Sequence, residues 1–327
     1  MSGTSASEAR AIGPDAWPDL PYEEWRDTLH TLHRWTQIVG KVRMELSPWI
    51  NHSWSVPLYV SARGLTTSLI PFAPAPFQID FDFIDHRLLV FGSDGAVRSM
   101  GLGPITVAQF YSDLLESLEQ MGVPVSICAV PNEVVDPVPF FSDTAHASYD
   151  PEYASRFWRA LLQVERVFQA HRARFIGKAS PVHFFWGSFD LAVTRFSGRS
   201  APPHPGGIPN LPDEITREAY SHEVSSCGFW PGNEEAPVPI FYSYAYPAPD
   251  GFSTAPVSPE AAYWEAQLGE FVLPYDAVRT AASPDGALTA FLEGTYVAAA
   301  ELGGWDREAL ERPPGFRPLV RERGSGR

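Results

Sequence analysis

The sequence predicts an α+β fold in which a mainly antiparallel sheet packs against three or four long helices. Four segments repeat apolar residues at the spacing of an amphipathic helix, at about 21–46, 107–122, 151–175 and 284–302. Between them, short runs alternate apolar and polar side chains and end at turn residues, which is typical of antiparallel strands. Helix, strands and helix follow one another twice, and this order raises the hypothesis of two similar halves.

The first turn of each helix carries a recognisable start signal. Pro21 suits a first helical turn, and Glu23 favours the positive N-terminal end of the helix that follows. Thr106 is the expected N-cap of the second helix. Asp150 precedes Pro151 at the start of the third helix, and Pro284 opens the fourth.

The strands are predicted from alternation and from the turns that separate them. Phe77, Ile79, Phe81 and Phe83 alternate with polar residues, which indicates a half-exposed strand. The predicted strands lie at 52–64, 65–72, 77–101 (as three runs with tips at Asp85–His86 and Asp94–Gly95), 124–130, 183–195, 219–230, 239–247 and 270–275.

A Pro-rich stretch near residues 131–150 is the best candidate for a boundary between the halves. We therefore expect a disordered N-terminus over 1–16, one α+β half over 17–135, a second over 145–310, and a flexible tail over 311–327. Local echoes support a duplication: Ile38-Val39-Gly40-Lys41 matches Phe175-Ile176-Gly177-Lys178 in kind, and Trp54 and Trp186 each precede an arginine by nine residues. The alternative is a chance similarity of two amphipathic units.

Composition excludes several classes of protein. The net charge of −15 offers no broad basic face, so we expect no nucleic-acid partner. No apolar run is long enough for a membrane span, and the N-terminus lacks the charge and apolar core of a secretory signal. The two cysteines form no CxxC pair, so we expect free thiols and a cytoplasmic location.

The segment 183–195 is the first candidate site. Alternation places Trp186, Ser188 and Asp190 on one face of a strand and Arg195 on the other. A buried carboxylate is costly unless it is paired or protonated. Asp190 therefore either pairs with an arginine and locks the sheet, or faces a cleft as a base, ligand or substrate anchor.

The segment 219–230 is the second candidate, because it carries many small polar groups in a row. Tyr220 and His222 share one face, and Glu223 lies on the other. A two-histidine, one-carboxylate set suits an open metal site. The metal hypothesis uses His52, His183, His222 and Glu223. Its alternative is three histidines satisfied at strand ends.

Three further residues have both a chemical and a simpler interpretation. Cys227 is either a nucleophile assisted by His222 or a small buried thiol. Lys41 and Lys178, the only lysines of the chain, are either Schiff-base lysines or cations that offset a helix C-terminus. The simpler interpretation is favoured for each of them.

Several strings together resemble a bacterial protein family of unknown function. They are WTQIVGK, FDFIDHRL, HASYDP, FIGKASPVHFFWGSFDLAVTRFSGR and YSHEVSSCGFWPG, and the resemblance covers roughly residues 17–310. The resemblance implies a stand-alone protein with no assigned activity. It therefore assigns no catalytic residue.

The leading expectation is a cytosolic small-molecule enzyme or binding protein with an aromatic-walled pocket lined by polar strand residues. The catalytic candidates are Asp190, His183, His222 and Glu223. The ligand-binding candidates are Arg63, Arg195, Trp54, Trp186, Ser188 and Tyr220, with the two arginines as anchors for an anionic small molecule. The alternatives are a metal-dependent enzyme and a non-enzymatic scaffold that presents Tyr242, Tyr244 and Tyr246. The sequence indicates neither a cofactor nor an oligomeric state.

Overall fold

Two antiparallel sheets and the helices that cover them make up the part of the chain that the computed structural model describes, residues 16–207 and 211–313. The predicted α+β class is therefore confirmed. The expected disordered N-terminus and flexible tail lie almost wholly outside these ranges. The helices are α1 (Tyr22–Leu46), α2 (Val107–Gln120), α3 (Pro151–Ala173), α4 (Asp213–Ala219), α5 (Tyr275–Arg279), α6 (Pro284–Leu302) and α7 (Arg307–Leu310).

The first sheet is a five-stranded meander in the order β1-β2-β3-β4-β5. The second has six strands in the order β10-β11-β9-β8-β7-β6. Every neighbouring pair is antiparallel. The strands are β1 (Tyr59–Val60), β2 (Gly64–Thr66), β3 (Phe77–Asp82), β4 (Arg87–Gly92), β5 (Val97–Gly101), β6 (His183–Phe185), β7 (Asp190–Ser200), β8 (His222–Trp230), β9 (Ile240–Tyr246), β10 (Tyr263–Glu265) and β11 (Glu270–Pro274).

The start signals of α2 and α3 act as the sequence predicts, whereas Pro21 precedes the first residue of α1 instead of lying in its first turn. The Thr106 hydroxyl accepts a hydrogen bond from the backbone N–H of Gln109 at the start of α2. The Asp150 carboxylate accepts hydrogen bonds from the first turn of α3, with Pro151 as its first residue. These caps satisfy backbone donors that have no partner within their own helices.

One hydrophobic core joins the two predicted halves. Trp25 of α1 contacts Phe157 of α3, and Phe157 stacks on Phe189 with ring centroids 5.2 Å apart. A bridge between Leu58 and Phe184 connects the edge of the first sheet to the edge of the second through two hydrogen bonds of 2.9 Å. The duplication itself stays a prediction.

The strand predicted over 183–195 is a hairpin. Residues 186–189 form a turn between β6 and β7, and Phe185 pairs with Asp190. Phe189 takes a left-handed conformation, with φ at +61°, which reverses the chain although its side chain is bulky. Contacts of its ring with Phe157 and Phe184 hold it there. Alternation alone does not reveal such a turn.

Other strand predictions are wrong in detail. Most of 52–64 is irregular, with a 3₁₀ turn at Asn51–Ser53 and only two paired residues in β1. Residues 124–130 form no strand. No strand is predicted between 247 and 270, but β10 lies there, and its Tyr263–Glu265 pair with β11.

The second sheet has one face in the core and one face turned away from it. The core face carries Arg195, which keeps only 2% of its surface exposed. Its guanidinium lies 4.2 Å from the ring centroid of Tyr296 and donates to the backbone carbonyl of His171. Glu293 lies 3.5 Å from Arg195 and 2.6 Å from the His171 ring. Arg195 is thus part of a buried polar cluster between β7, α3 and α6.

We predict that Arg195→Met lowers the free energy of unfolding by about 3 kcal/mol, because it removes one cationic partner of Glu293 and the buried donor to the carbonyl of His171. Arg87→Met, which replaces an exposed arginine on β4, should change it by less than about 0.5 kcal/mol. Urea unfolding followed by circular dichroism measures both variants. Equal stability of the Arg195 variant and the native protein would contradict the structural role.

Candidate functional site

A cavity of about 430 Å³ lies between the open face of the second sheet and a cover of helices and loops. This volume is within the range of about 300–1,000 Å³ that is usual for small-molecule sites. The floor consists of Ser180, His183, Phe185, Asp190, Ala192, Thr194, Phe196, Val224, Ser226, Tyr242 and Tyr244. The cover includes Lys41 and Met44 of α1, Trp49, His52, Ser53, Trp54 and Val56, Cys128, Asn132 and Glu133, the turn Trp186–Ser188, and residues of the α4 region from Leu211 to Tyr220.

Asp190 is the buried acid of the floor. It begins β7 directly after the turn and keeps 6% of its surface exposed. The Ser188 hydroxyl donates to its Oδ1 at 2.7 Å, and the Tyr242 hydroxyl donates to its Oδ2. Burial raises the pKa of Asp190, although the two donated hydrogen bonds oppose that rise. Asp190 takes part in no ion pair within the described residues.

Tyr242 reaches Asp190 by lying across the neighbouring strand. Tyr242 is on β9, opposite Gly228 of β8, and Gly228 is in turn opposite Ala192 of β7. A Cβ on Gly228 would lie 2.3 Å from the tyrosine ring, so only glycine leaves room for it. The glycine on β8 therefore allows a hydroxyl of β9 to hold a carboxylate of β7.

Glu133 is the second carboxyl of the site. Its backbone is left-handed, with φ at +55°, and its Oε1 lies 2.2 Å from the place that a Cβ on Gly187 would take. Glu133 lines the cavity wall and is an exposed residue by its surface area. Desolvation of its carboxyl, followed by the negative charge of Asp190, raises the pKa of Glu133 to about 7.

A third carboxyl, Glu270, begins β11. Burial and then the charge of Asp190 raise the pKa of Glu270 to about 7 as well. The negative charge of Asp190 therefore contributes to the raised pKa of both glutamates.

A row of hydroxyls continues across the floor from the carboxyls. The Thr194 and Ser226 hydroxyls are 2.9 Å apart, and so are those of Tyr220 and Tyr244. Burial raises the pKa of Tyr220 and that of Tyr244. The two phenols therefore stay neutral and can both donate and accept hydrogen bonds.

His183 is a buried imidazole without a partner. It keeps 1% of its surface exposed, and neither ring nitrogen makes a hydrogen bond within the part of the chain that the structure describes. Rings of Trp54, Tyr59 and Phe185 stand edge-on to it at 5.3–5.9 Å. Burial, and then the nearby Arg43, lowers the pKa of His183 to about 3, so the ring is neutral. Such unsatisfied polar atoms are costly in a protein interior and call for a partner.

A basic side chain, Lys178, contacts three residues of the cavity lining without being part of the lining itself. The Lys178 ammonium donates to Nε2 of His52 at 2.5 Å, and Nδ1 of His52 donates to the carbonyl of Ala219 at 3.1 Å. Lys178 lies 4.6 Å from the ring centroid of Phe196 and 5.3 Å from that of Trp54. Burial lowers the pKa of Lys178. Lys178 follows the end of α3, whereas Lys41 lies inside α1, so the predicted helix-end role does not apply to Lys41.

Backbone strain concentrates around this cavity. His52, Ser53 and Glu133 line it with φ values of +55° to +59°, and Phe189 at +61° immediately precedes Asp190. Non-glycine residues in this region cost about 1–3 kcal/mol each and are common at functional sites. The surrounding packing therefore maintains the cavity wall in a conformation that the local sequence disfavours.

The structure brings seven of the predicted site residues together around the cavity. They are Asp190, His183, His52, Trp54, Trp186, Ser188 and Tyr220. The alternative in which Asp190 pairs with an arginine is wrong, because its partners are hydroxyls.

The two arginines predicted as ligand anchors lie outside the cavity. Arg195 is on the core face of the second sheet. Arg63 lies at the β1–β2 turn of the first sheet, where it pairs with Asp82 at 2.7 Å and with Asp85 at 2.6 Å. Both guanidiniums already have protein partners, and the period of two along β7 directs Arg195 away from Asp190.

The proposed metal ligands do not converge. His52 and His222 are neighbours, with ring centroids 6.0 Å apart, but Glu223 lies on the other face of β8 and pairs with Arg199 at 2.6 Å. His222 is not part of the cavity lining. Within residues 16–207 and 211–313, no three histidine, cysteine or acidic side chains are close enough to hold one metal ion.

Sequence reasoning missed Glu133, Glu270 and the roles of Tyr242 and Tyr244. Glu133 lies in the Pro-rich stretch that we interpreted as a boundary, and no local pattern links it to Asp190. The tyrosines did give a signal, since they alternate onto one face of β9, but that pattern also fits a core face or a scaffold surface. Cys227 is buried on the core face, and burial raises the pKa of its thiol to about 12, which fits the simpler interpretation.

Comparison with known proteins identifies the family of this chain. A family of unknown function, DUF5996, matches residues 17–312, and the chain belongs to it. No curated protein and no solved structure matches the chain. Within residues 16–207 and 211–313, no helix has the length and apolar character needed to cross a membrane.

We predict that Glu270→Gln stabilises the protein at pH 8 but not at pH 4. The folded state keeps the proton of Glu270 up to about pH 7, whereas the unfolded state loses it near 4.5, so wild-type stability falls as pH rises between these values. Glutamine removes this cost. The gain should be on the order of 1 kcal/mol, because partial exposure screens the charge.

Urea unfolding at the two pH values measures this difference. Glu119→Gln, on the exposed face of α2, is the control and should change neither value by more than about 0.5 kcal/mol. A Glu270 variant that is destabilised at pH 8 would show that the carboxylate is stabilised where it lies.

Proposed function

We propose that this chain binds a small molecule in the cavity above the second sheet, and that the Asp190–Glu133 pair exchanges a proton with it. The observation that carries the proposal is the placement of Asp190. Its carboxyl is buried at the cavity floor, held by two hydroxyl donors, and accompanied by a second carboxyl with a pKa of about 7.

The carboxyl pair has the properties of a general acid and base. A group whose pKa is near the working pH is populated in both protonation states, which makes proton transfer efficient in either direction. Two neighbouring carboxyls commonly divide these roles, since the charge of one raises the proton affinity of the other. Asp190 accepts the proton in this proposal, and Glu133 is the adjacent store for it.

The remainder of the cavity would bind and orient the molecule. Apolar and aromatic walls, including Phe185, Trp186 and Trp54, remove the body of a ligand from water. The hydroxyl row of Thr194 and Ser226 then offers a few fixed polar contacts. This combination of extended apolar wall and sparse polar groups is typical of small-molecule sites.

Other candidate functions lack a supporting observation. The anionic ligand expected from the sequence depended on Arg63 and Arg195, which lie elsewhere. The metal-dependent alternative depended on Glu223, which pairs with Arg199. The scaffold alternative depended on exposed tyrosines, but Tyr242 and Tyr244 form part of the cavity floor.

A cytoplasmic location accompanies this proposal. Cys128 and Cys227 are both free, one exposed and one buried. Free thiols are the usual state in a reducing compartment. The small molecule would then come from the cytoplasmic pool.

Filling the cavity tests the proposal. We predict that Ala192→Phe abolishes binding of the small molecules that wild-type protein selects from a fragment library in saturation-transfer NMR. Ala192 is a buried floor residue, and a phenyl ring there occupies space that a ligand needs. Ala282→Phe makes the same change at an exposed position outside the cavity and should leave binding intact.

Circular dichroism and thermal unfolding would show whether the Ala192 variant is folded. If overpacking unfolds it, Thr194→Leu is the second cavity-filling variant. Fragments that bind both the wild type and a folded cavity-filled variant with equal affinity would refute the proposal.

A further inference from the structure

We infer that the ligand of this cavity carries a positively charged amine, which Asp190 and Glu133 recognise. The inference rests on the proposed function and adds the chemical class of the ligand. It follows from the absence of a cationic partner for these two cavity carboxyls among the described residues.

Asp190 at the floor and Glu133 at the wall have no counter-charge of their own. Sixteen contacts between an arginine and a carboxylate exist among the described residues, and none of them includes Asp190 or Glu133. The arginines nearest to Asp190 in sequence, Arg195 and Arg199, pair with Glu293 and Glu223. A buried carboxylate is stabilised by an opposite charge or by protonation. A cationic ligand would supply the missing charge.

The buried imidazole of His183 is a second, independent indication. It lines the same cavity, is almost fully buried, and has no hydrogen-bond partner for either ring nitrogen among the described residues. A neutral imidazole offers one acceptor and one donor nitrogen. Its acceptor nitrogen suits an N–H group of a ligand, just as the carboxylate oxygens do. Asp190, Glu133 and His183 together therefore favour a ligand that is rich in donors.

The aromatic walls favour an organic cation over a metal ion. Aromatic faces attract ammonium groups through their ring quadrupoles. The protein already uses this contact at the cavity, where Lys41 lies 5.9 Å from the ring centroid of Trp186. Phe196, on the cavity floor, makes the same kind of contact with Lys178, which is outside the lining, at 4.6 Å. A metal ion would need at least three close ligands, and the described residues provide no such group.

An anionic ligand fits the cavity less well. It would meet Asp190 at the floor and Glu133 at the wall, and like charges repel strongly where water is excluded. Lys41, a cation of the cavity wall, already donates to the carbonyl of Val130 at 2.9 Å and to the amide oxygen of Asn132 at 2.5 Å. Lys178 likewise donates to His52.

Matched probes that differ only in charge test the inference. The amines are benzylamine, phenethylamine and tryptamine, and each is compared with the alcohol and the carboxylic acid of the same aromatic skeleton. Isothermal titration calorimetry at pH 8 measures their affinity for the full chain. We expect at least one amine to bind, its alcohol to bind at least about tenfold more weakly, and its acid to show no binding.

Two isosteric variants test whether the carboxyls bind the amine. Asp190→Asn should lower amine affinity at least about 30-fold, because loss of one partner of a desolvated charge pair leaves the other unpaired. Glu133→Gln should lower it less, since its carboxyl is at the wall. Glu165→Gln is the matched control, because burial raises the pKa of this carboxyl on α3 as well, but it lies outside the cavity. Thermal unfolding confirms that each variant is folded.

The failures of the two proposals can be told apart. Alcohols or acids that bind as tightly as the amines, and lose affinity in Ala192→Phe, would overturn the amine inference but leave the proposed function intact. Amine affinity that is unchanged in Asp190→Asn would also overturn it. Absence of binding by all three amines would overturn it as well.

Discussion

The structure of this protein depends on a carboxyl group that is buried without an opposite charge. Asp190 begins β7, which lies next to the edge strand β6 of the second sheet, and hydroxyls from Ser188 and Tyr242 are its hydrogen-bond donors. Hydroxyl donors satisfy the lone pairs of a carboxylate but do not neutralise it. The Asp190 carboxylate therefore keeps a raised affinity for a proton, and the proposed chemistry of the site depends on that affinity.

Several unusual features of the chain serve this arrangement. The left-handed Phe189 turns the chain so that β7 begins at Asp190, and the rings of Phe157 and Phe184 hold it in place. Gly228 leaves the space through which Tyr242 crosses β8. These contacts come from four different elements, so the site depends on the whole sheet and on α3. The strain in the turn is offset by the packing of the common core.

Both faces of the second sheet bury charged groups, but the two faces differ in whether those groups have partners of opposite charge. On the core face, Arg195, His171 and Glu293 form a compact set in which positive and negative groups meet. On the cavity face, the acids lack such partners and the neutral His183 has none. The contrast lies within a single strand, since Asp190 and Arg195 belong to opposite faces of β7. We interpret the first face as structural and the second as the one available to a ligand.

Much of the fold could be predicted because its signals are local. The alternation in β3, the caps at Thr106 and Asp150, and the face of β7 that carries Asp190 all follow from spacing within a few residues. The missed features depend on contacts between distant segments. Glu133 reaches the site from a loop. The two predicted anchor arginines lie away from the site because they pair with residues of α3, α6 and the first sheet. No pattern along the chain encodes those distances, and the Trp-Gly-Ser-Phe turn lacks the usual Asn-Gly or Asp-Gly signal.

The protonation state of Glu133 tests the central claim most directly. Fourier-transform infrared spectroscopy of the ligand-free protein at pH 7 would be compared between the wild type and E133Q, in the carbonyl-stretching region of protonated carboxyl groups. We predict a protonated-carboxyl band in the wild type that weakens when the pH is raised to 9. In the variant this band should lose the contribution of Glu133 and keep that of Glu270. Identical spectra, with no protonated carboxyl assigned to Glu133 at pH 7, would contradict the account of an uncompensated acidic pair.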